Sequence, residues 1–333
     1  MPSKPETHAD PTFEAARPRL FAIAYRMLGS ISDAEDIVQD AWIRWTRARA
    51  DASAEIRNPT AYLARATTRL AIDRLRQVKR RRETYVGPWM PEPLIQRERD
   101  LSPEREPPSA SEAVALAESL KIGFLVLLET LGPTDRAVFL LREAFDYEYA
   151  EIAAIVGKTP TNCRQIFARA RKRIASGRAP EPKGESKRAR ANRPPRDAGA
   201  KPSKSSAPAS PTALLEAFVG AVASRDLRKL EALLAEDAVF HTDHGGRVRA
   251  NRRPIYGANA IARFLLGLLK KFEKSGGVPR SEFALINGQP GLLNYLDGAL
   301  TSVIALDVED GVITAFHSIN NPEKLQNLAR SET

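Results

Sequence analysis

The chain has 333 residues, enough for two or three domains, with 51 lysines and arginines against 41 aspartates and glutamates. The net charge of +10 and a pI near 9.8 favour a polyanionic partner. The single cysteine, Cys163, excludes an intrachain disulfide and a cysteine-based zinc cluster. No apolar run approaches the roughly 18 residues of a membrane span, and the first residues lack a signal-peptide pattern. We therefore expect a cytoplasmic protein with no membrane partner.

The first predicted domain, residues 11–84, is all-helical and contains an acidic helix, Asp33–Trp45. Ser32 is its expected N-cap, and carboxylates in the first turn suit the helix dipole. That local role does not account for Gln39 and Asp40, which lie further along the helix beside a tryptophan. The acidic face is therefore also a candidate protein-docking surface.

A second helix of this domain begins at Pro59 and has one apolar face and one basic face. Such a basic stripe can follow a phosphate backbone. A merely solvated cationic face normally carries interspersed carboxylates, whereas Asp73 alone interrupts this stripe. We predict a nucleic-acid-binding face that comprises Arg65, Arg69, Arg76 and Arg80.

Two stretches of the chain are predicted to be linkers. Residues 85–110 are rich in proline, and they hold Trp89 and Met90 in a segment too irregular to bury them alone. Because exposed apolar surface costs about 25 cal/mol per Å², we expect the C-terminal domain to cover these side chains. Residues 176–210 are basic and contain almost no large apolar residue, so they are expected to form a disordered tether.

Residues 111–175 are predicted to be helical and to end in a helix-turn-helix, Asp146–Ile174. Gly157 supplies the turn, Thr159 is the expected N-cap and Pro160 the first residue of the second helix. One stripe of that helix is apolar, and its opposite side carries small, amide and guanidinium groups. An ordinary solvated basic helix is the alternative. The cap, turn and arginine pattern together favour DNA recognition by Thr161, Arg164, Gln165, Ala168, Arg169 and Lys172.

Residues 211–333 are predicted to form an α+β domain, with helices first and a curved antiparallel sheet after them. Its candidates for acid–base chemistry are His241, Asp243, His244, Tyr256 and His317. His241 and Asp243 would share a strand face, and we favour the interpretation that they satisfy one another or the backbone. No paired carboxylates and no glycine-rich phosphate loop accompany them, so we expect no catalytic residues, no metal and no cofactor.

The acidic helix, the arginine helix and the helix-turn-helix together resemble regions 2 and 4 of a bacterial extracytoplasmic-function sigma factor. The linker segment Tyr85–Leu94, followed by an α+β domain, is similar to the subgroup with a fused SnoaL-like extension. The resemblance implies a multidomain protein in which two all-α sigma domains precede an α+β SnoaL-like cone domain. It implies a promoter-specificity subunit of RNA polymerase, regulated in cis by the C-terminal domain.

The resemblance also implies roles for individual residues. In that family the acidic helix docks on the clamp helices of polymerase β′, which implies this role for Asp36, Gln39 and Asp40. The arginine helix meets the −10 element, with Arg69 and Asp73 at positions expected to approach the opened strand. The implied partners are promoter DNA and core RNA polymerase, through the β′ clamp helices and the β flap. The second helix of the helix-turn-helix reads the −35 element, which implies Arg164, Gln165, Ala168 and Arg169.

The subgroup carries two short motifs in the C-terminal domain, of D-G-G-G-K and N-P-D-K-L type. This chain has Asp243–Arg247 and Asn321–Leu325 at those places. The first segment has histidine for glycine and arginine for lysine, which leaves its turn and its contacts open. We expect a short tail from Glu323 to lie on the linker. The expected regulatory interface comprises Trp89, Met90, Asp243, Asn321, Pro322, Lys324 and Leu325.

The sequence therefore leaves two alternative functional classes. One is a sigma factor controlled in cis; the other is a SnoaL-type cyclase or isomerase fused to a DNA-binding half. The second class, and an unknown small ligand in a C-terminal pocket, are left open. A stand-alone helix-turn-helix regulator fails to account for the acidic helix Asp33–Trp45.

Overall fold

A computed structural model describes residues 10–51, 56–82, 84–96, 121–176, 211–248, 250–251 and 253–330. These residues belong to two compact units. The first contains the described residues up to Thr84 and those from Leu127 to 176, and the second contains the others. The predicted helical residues 111–120 and the predicted tether from 177 to 210 lie outside the described residues. Among the described residues, no helix is both long enough and apolar enough to span a membrane.

The first unit is built from helices. In chain order they are α1 (Pro11–Leu28), α2 (Ile31–Ala50), α3 (Pro59–Arg82), α4 (Ile122–Leu128, whose end belongs to this unit), α5 (Pro133–Glu143), α6 (Tyr149–Val156) and α7 (Pro160–Ala175). Phe13, Leu20, Trp45 and Leu63 bury their side chains where α1, α2 and α3 meet. Asp10 caps α1 and also accepts a 2.9 Å hydrogen bond from the Trp45 indole, which ties the start of α1 to α2.

The connection between α1 and α2 is shorter than the sequence suggested. Gly29 ends α1 in the left-handed conformation, with φ 66°, and Ser30 is extended. The Ser30 hydroxyl accepts a hydrogen bond from the Asp33 amide at 3.3 Å. The prediction that Ser32 is the N-cap is therefore wrong, because the helix has already begun at Ile31.

The helix-turn-helix has the predicted local structure. Gly157 is left-handed at φ 67°, the Thr159 hydroxyl accepts from the Asn162 amide at 3.2 Å, and Pro160 is the first residue of α7. The predicted apolar stripe of α7 buries Cys163, Ile166 and Ala170. The structure thus confirms these predicted features. They could be predicted from the sequence because each depends on residues only a few positions apart.

The second unit is an α+β domain. Its elements, besides the start of α4, are β1 (Ile95–Gln96), α8 (Pro211–Ala223), α9 (Leu227–Ala232), β2 (Leu234–Asp243), β3 (Ile255–Tyr256), α10 (Ala258–Ser275), β4 (Pro279–Ile286), β5 (Gln289–Leu296), β6 (Ala299–Glu309), β7 (Val312–Ile319) and α11 (Pro322–Arg330). The strand order is β1-β4-β5-β6-β7-β2-β3. The described strands therefore form one seven-stranded sheet, and the domain combines this sheet with helices as predicted.

Two local expectations for this unit are wrong. The sheet is not wholly antiparallel, because β2 pairs with β7 in parallel after the long connection that parallel strands require. The linker contributes a strand, since β1 pairs with β4. The expected tail does lie on the linker, through Lys324, and it forms the helix α11. This helix begins at Pro322, and the Glu323 amide donates to Asn321 Oδ1 at 3.0 Å.

The two faces of the sheet have different coverings. Phe316 packs against Phe240 and Phe218, with ring centroids 5.3 and 5.4 Å apart respectively, in a core that includes residues of α8, α9 and α10. Their strand neighbours His241 and His317 point to the opposite face, because side chains alternate along a strand. The core on that opposite face includes two residues from outside the C-terminal domain and several from within it: Met90, Ile122, Ile286, Leu293, Ile319 and Leu325.

Candidate functional site

A buried lysine from α11 meets the linker on this second face of the sheet. Lys324 Nζ donates to Asp243 Oδ2 at 2.6 Å and to the Met90 carbonyl, and it lies 4.5 Å from the centroid of the Trp89 ring. The Lys324 side chain is 9% exposed and that of Asp243 is 0% exposed. A charge this deeply buried is tolerated because it has an ion-pair partner, a carbonyl acceptor and an aromatic ring.

Asp243 completes this arrangement with two further acceptor contacts. Its Oδ2 accepts from the Met90 amide at 2.9 Å, and its Oδ1 accepts from the Tyr85 hydroxyl. The same hydroxyl accepts from Asn321 Nδ2 at 2.8 Å. Burial and the neighbouring carboxylate raise the pKa of Tyr85 well above its usual value, so the phenol stays a donor. We call this set the linker cage: Tyr85, Trp89, Met90, Asp243, Asn321 and Lys324.

The loop after β2 has His244 and Arg247 where the resemblance leads us to expect glycine and lysine, and the structure shows the contacts of both residues. Gly245 has φ 56°, and a Cβ there would lie 2.6 Å from Asn321 Nδ2, inside the linker cage. His244 is buried and accepts from the Gly246 amide at 3.0 Å. Arg247 pairs with Glu323 at 2.6 Å. The histidine therefore supports the turn, and the arginine has a partner on α11.

Two further segments contact the C-terminal domain: the linker near β1 and the start of α4. Near β1, the Leu94 amide donates to Asn287 Oδ1 at 2.9 Å, and the Leu94 carbonyl accepts from the Asn287 amide at 2.7 Å. At the start of α4, Gly123 lies against an Asp307–His317 pair joined at 2.8 Å. A Cβ on Gly123 would lie 3.0 Å from His317 Nε2, so a larger residue would not fit.

The structure brings together most of the predicted regulatory residues. Trp89, Met90, Asp243, Asn321 and Lys324 share the linker cage, Leu325 is buried in the same core as Met90, and Pro322 begins α11. Sequence reasoning missed Tyr85 and Asn287, and it considered His244 only as an acid–base candidate. The signal for Tyr85 was its place in the same proline-rich segment as Trp89, whereas nothing local marks a partner 158 residues away.

The predicted acid–base candidates have structural partners. Asp243 accepts from the backbone amide of Met90 and from Lys324 Nζ, which agrees with the backbone alternative of the prediction. The His241 ring instead stacks on His317, with centroids 5.6 Å apart and planes 4° apart. Tyr256 is half-buried in β3.

The predicted −10 residues Arg65, Arg69, Asp73, Arg76 and Arg80 are all exposed on α3. Arg76 pairs with Asp73 at 2.6 Å, and Arg69 is bound to another helix of the first unit. Arg69 Nε donates to the Ile155 carbonyl at 2.8 Å, and its Nη2 donates to the Ala154 carbonyl at 3.1 Å, at the C-terminal end of α6. Cationic groups are favoured at that end of a helix.

The predicted polymerase-docking residues Asp36, Gln39 and Asp40 are exposed on α2. Arg74 of α3 pairs with Asp36 at 3.0 Å and with a second aspartate of the same helix. The neighbouring Trp42 packs edge-on against Phe13, with ring centroids 4.8 Å apart. The tryptophan beside the acidic face is thus half-buried against the core of the first unit.

The predicted −35 residues are all exposed on α7: Thr161, Arg164, Gln165, Ala168, Arg169 and Lys172. Three of them, Arg164, Ala168 and Lys172, line one groove together with Tyr149 and Phe167. The Arg164 guanidinium lies 5.3 Å from the centroid of the Tyr149 ring. The groove therefore combines basic groups with an aromatic wall.

A buried charge cluster lies elsewhere in the first unit. Glu129 accepts from Arg82 Nη1 at 2.7 Å and pairs with Arg136 Nη2 at 2.8 Å. Arg136, only 1% exposed, also donates to the Met27 and Leu128 carbonyls at 2.8 and 2.6 Å. Burial raises the pKa of Glu129, but the two guanidiniums outweigh it and hold that pKa below its ordinary value.

Comparison with known proteins covers almost the whole chain. Residues 12–81 match the family model described as Sigma-70 region 2, and residues 123–174 match Sigma-70, region 4. The chain is 32% identical over 322 residues to the ECF RNA polymerase sigma factor SigJ of Mycobacterium tuberculosis, covering 94% of this chain and 91% of that protein. It is 27% identical over 302 residues to the sigma factor SigG of the same organism, covering 85% and 72%.

The fold comparison agrees with the sequence comparison. The crystal structure of Mycobacterium tuberculosis SigJ superposes with a TM-score of 0.69 at 30% identity, covering 94% of this chain and 97% of that one. The similarity therefore extends over both helical blocks and the C-terminal α+β domain.

Proposed function

The chain belongs to the extracytoplasmic-function family of RNA polymerase sigma factors, and we propose that its C-terminal domain regulates it in cis by holding the linker between the two DNA-binding blocks. As a sigma factor it binds core RNA polymerase and promoter DNA through regions 2 and 4 and directs initiation of transcription. It is not an enzyme, and the cyclase or isomerase alternative is not favoured. Its place of action is then the cytoplasm, with the polymerase.

The observation that carries the regulatory proposal is the linker cage. Both backbone groups of Met90 are bound by the C-terminal domain: its amide donates to Asp243, and its carbonyl accepts from Lys324. This segment separates the matched regions 2 and 4 along the chain. A linker held at fixed points has fewer conformations than a free one, so the C-terminal domain biases the spacings that the two blocks adopt.

The other face of the C-terminal sheet supports the same role. On this face Phe240 contacts Phe316 and Phe264, with ring centroids 5.3 Å apart in each pair. These rings belong to a continuous core with residues of α8, α9 and α10. The polar groups of the domain lie instead on the face that binds the linker, which favours a regulatory role over chemistry.

The proposed contacts with promoter DNA divide between α3 and α7. Arg65, Arg69, Asp73, Arg76 and Arg80 form the −10 surface. A DNA strand that contacts Arg69 must displace the Ala154 and Ile155 carbonyls from its guanidinium. Contact between Arg69 and DNA therefore competes with the contact between Arg69 and α6.

The exposed side of α7 is the proposed −35 surface. It comprises Thr161, Arg164, Gln165, Ala168, Arg169 and Lys172. A helix that lays this side in the major groove brings the arginines and the glutamine to base edges. Within region 4, the proposed polymerase contact is the β flap.

Selective initiation tests the promoter function directly. The purified full chain is mixed with core polymerase and a promoter library, and the transcripts are sequenced. We expect initiation only at promoters with a paired −35 and −10 motif, because two separate blocks read them. Core polymerase alone is the control. Initiation at the same sites without the chain would contradict the promoter-specificity role.

Charge reversal on α2 tests the proposed docking on the β′ clamp helices. The double variant Asp36→Lys/Asp40→Lys should weaken holoenzyme assembly by at least about tenfold, because like charges placed across an interface repel. Both residues are exposed, so thermal unfolding should change little. Glu14→Lys, an exposed reversal on α1, is the matched control. Normal assembly of the double variant in gel filtration would remove this surface from the polymerase interface.

A further inference from the structure

We infer that Tyr149 is a specificity-determining positioning residue, whose ring holds the Arg164 guanidinium in place for reading one base of the −35 element. The inference rests on the proposed role of α7 in promoter recognition. It adds a residue from outside the recognition helix, at the first position of α6.

The geometry around the ring carries the inference. Arg164 lies in the second turn of α7, and its guanidinium carbon is 5.3 Å from the Tyr149 centroid. The guanidinium of Arg142, from the last turn of α5, is 5.2 Å from the same centroid. Both distances fall within the roughly 6 Å over which a cation is attracted to an aromatic ring. The Tyr149 ring therefore contacts one guanidinium from α5 and one from α7.

The ring itself has a fixed position. Phe167 of α7 meets Tyr149 edge-on, at 6.2 Å and 73°, and Phe167 stacks on Phe139 of α5 at 5.7 Å and 16°. These contacts tie the ring to both neighbouring helices. Aromatic pairs at such distances and angles are favourable in their own right. Tyr149 is thus a rigid platform, although it is only half-buried.

The second guanidinium is anchored as well. Arg142 Nη1 donates to the Tyr147 carbonyl at 3.0 Å and to Glu148 Oε1 at 3.2 Å. Arg142 therefore has acceptors of its own beside the ring. Arg164 is exposed and has the ring as its described partner, so its N–H donors are available to a base edge.

Holding a long side chain in one place before binding increases both affinity and selectivity. An arginine that is free in solution must be ordered when it binds, and this cost is smaller when its orientation is already set. A guanidinium that reads guanine does so through two parallel hydrogen bonds, which require a defined direction. The ring face provides that direction, and the Tyr149 hydroxyl has no part in it.

The test is a selection of promoters randomised in the −35 element, carried out with holoenzyme assembled from the full chain. Arg164→Ala should relax preference at one position, by about 5- to 150-fold. Tyr149→Leu should relax preference at that same position by about 2- to 5-fold, the range of an exposed cation–π contact. Tyr149→Phe keeps the ring and should behave like the parent. The double variant Tyr149→Leu/Arg164→Ala should match Arg164→Ala alone, because Tyr149 acts only through Arg164.

The outcomes separate this inference from the proposed function. If Arg164→Ala changes no base preference, the proposed reading face of α7 is wrong, and the inference falls with it. If Arg164→Ala relaxes one position and Tyr149→Leu does not, only the inference is overturned. A uniform loss over all sequences for Tyr149→Leu would make Tyr149 merely structural and would also overturn it. Base preference is a ratio of affinities, so a smaller folded fraction does not imitate the expected result.

Discussion

Replacing Asp243 by alanine should destabilise the second unit by about 3–5 kcal/mol and release the linker, because it leaves a buried lysine without its counter-ion. The Asp243 side chain is 0% exposed and binds Tyr85, Met90 and Lys324. The substitution therefore removes the ion pair with Lys324 and the hydrogen bonds from Tyr85 and Met90. The amides of residues 85–96, including that of Met90, should then exchange at least about 100-fold faster.

Hydrogen exchange with mass spectrometry, together with thermal unfolding of the full chain, measures both effects. Asp237→Ala is the matched control, because it removes an exposed carboxylate from the same strand. The double variant Asp243→Ala/Lys324→Met should cost less than the sum of the two single changes, since it removes both buried charges. Unchanged exchange in Asp243→Ala would mean that the linker cage does not hold the linker.

The same variant tests control in cis. With polymerase in excess, Asp243→Ala should change transcription from the selected promoters relative to Asp237→Ala, because a free linker permits other spacings of the two blocks. If exchange shows the linker released while transcription stays at the control level, the C-terminal domain does not regulate through the linker. The promoter function itself would be unaffected by that result.

Replacing Glu129 by glutamine should destabilise the first unit by about 3–5 kcal/mol at neutral pH, because two buried guanidiniums lose their shared counter-ion. The Glu129 side chain is 11% exposed, and those of Arg82 and Arg136 are 10% and 1% exposed. Chemical denaturation of the full chain measures the change. Glu143→Gln, an exposed glutamate on α5, is the control and should be near neutral.

The pH dependence of the Glu129 effect has a definite sign. The pKa of Glu129 in the folded chain lies below its ordinary value of 4.5, so the unfolded chain binds the proton more tightly. The stabilisation is therefore complete above that ordinary value and is lost as the pH falls through the lower, folded pKa. The stability gap between the parent and Glu129→Gln should narrow below about pH 4.5. A gap that widens in acid would contradict the assigned ion pairs.

Several features of this protein follow from short stretches of sequence. The turn and N-cap of the helix-turn-helix, and the apolar stripe of α7, depend on residues within a few positions of one another. Helix and strand periods, caps and turns act over such distances, so the sequence shows them directly. Trp89 and Met90 belong with these features, because apolar residues between prolines indicate a partner surface without saying which.

Local reasoning was wrong where two neighbouring signals competed or where a distant element intervened. Ser30 and Ser32 are both acceptable N-caps, and the left-handed Gly29 decided between them by ending α1 early. Leu94–Gln96 has no strand period of its own, and it becomes β1 because β4 offers an unpaired edge.

Only the tertiary structure decided which charged groups are paired in the interior. Tyr85 and Asp243 are 158 residues apart, Met90 and Lys324 are 234 apart, and no periodicity connects such positions. The local sequence N-P-E-K-L gives no sign that Lys324 is buried. The parallel pairing of β2 with β7 places Asp243 beside it and so provides the counter-ion. The sequence by itself determined that this chain is a sigma factor with an α+β extension. Folding determined where the extension holds the linker, because burying a charge is favourable only when its counter-ion arrives from elsewhere in the chain.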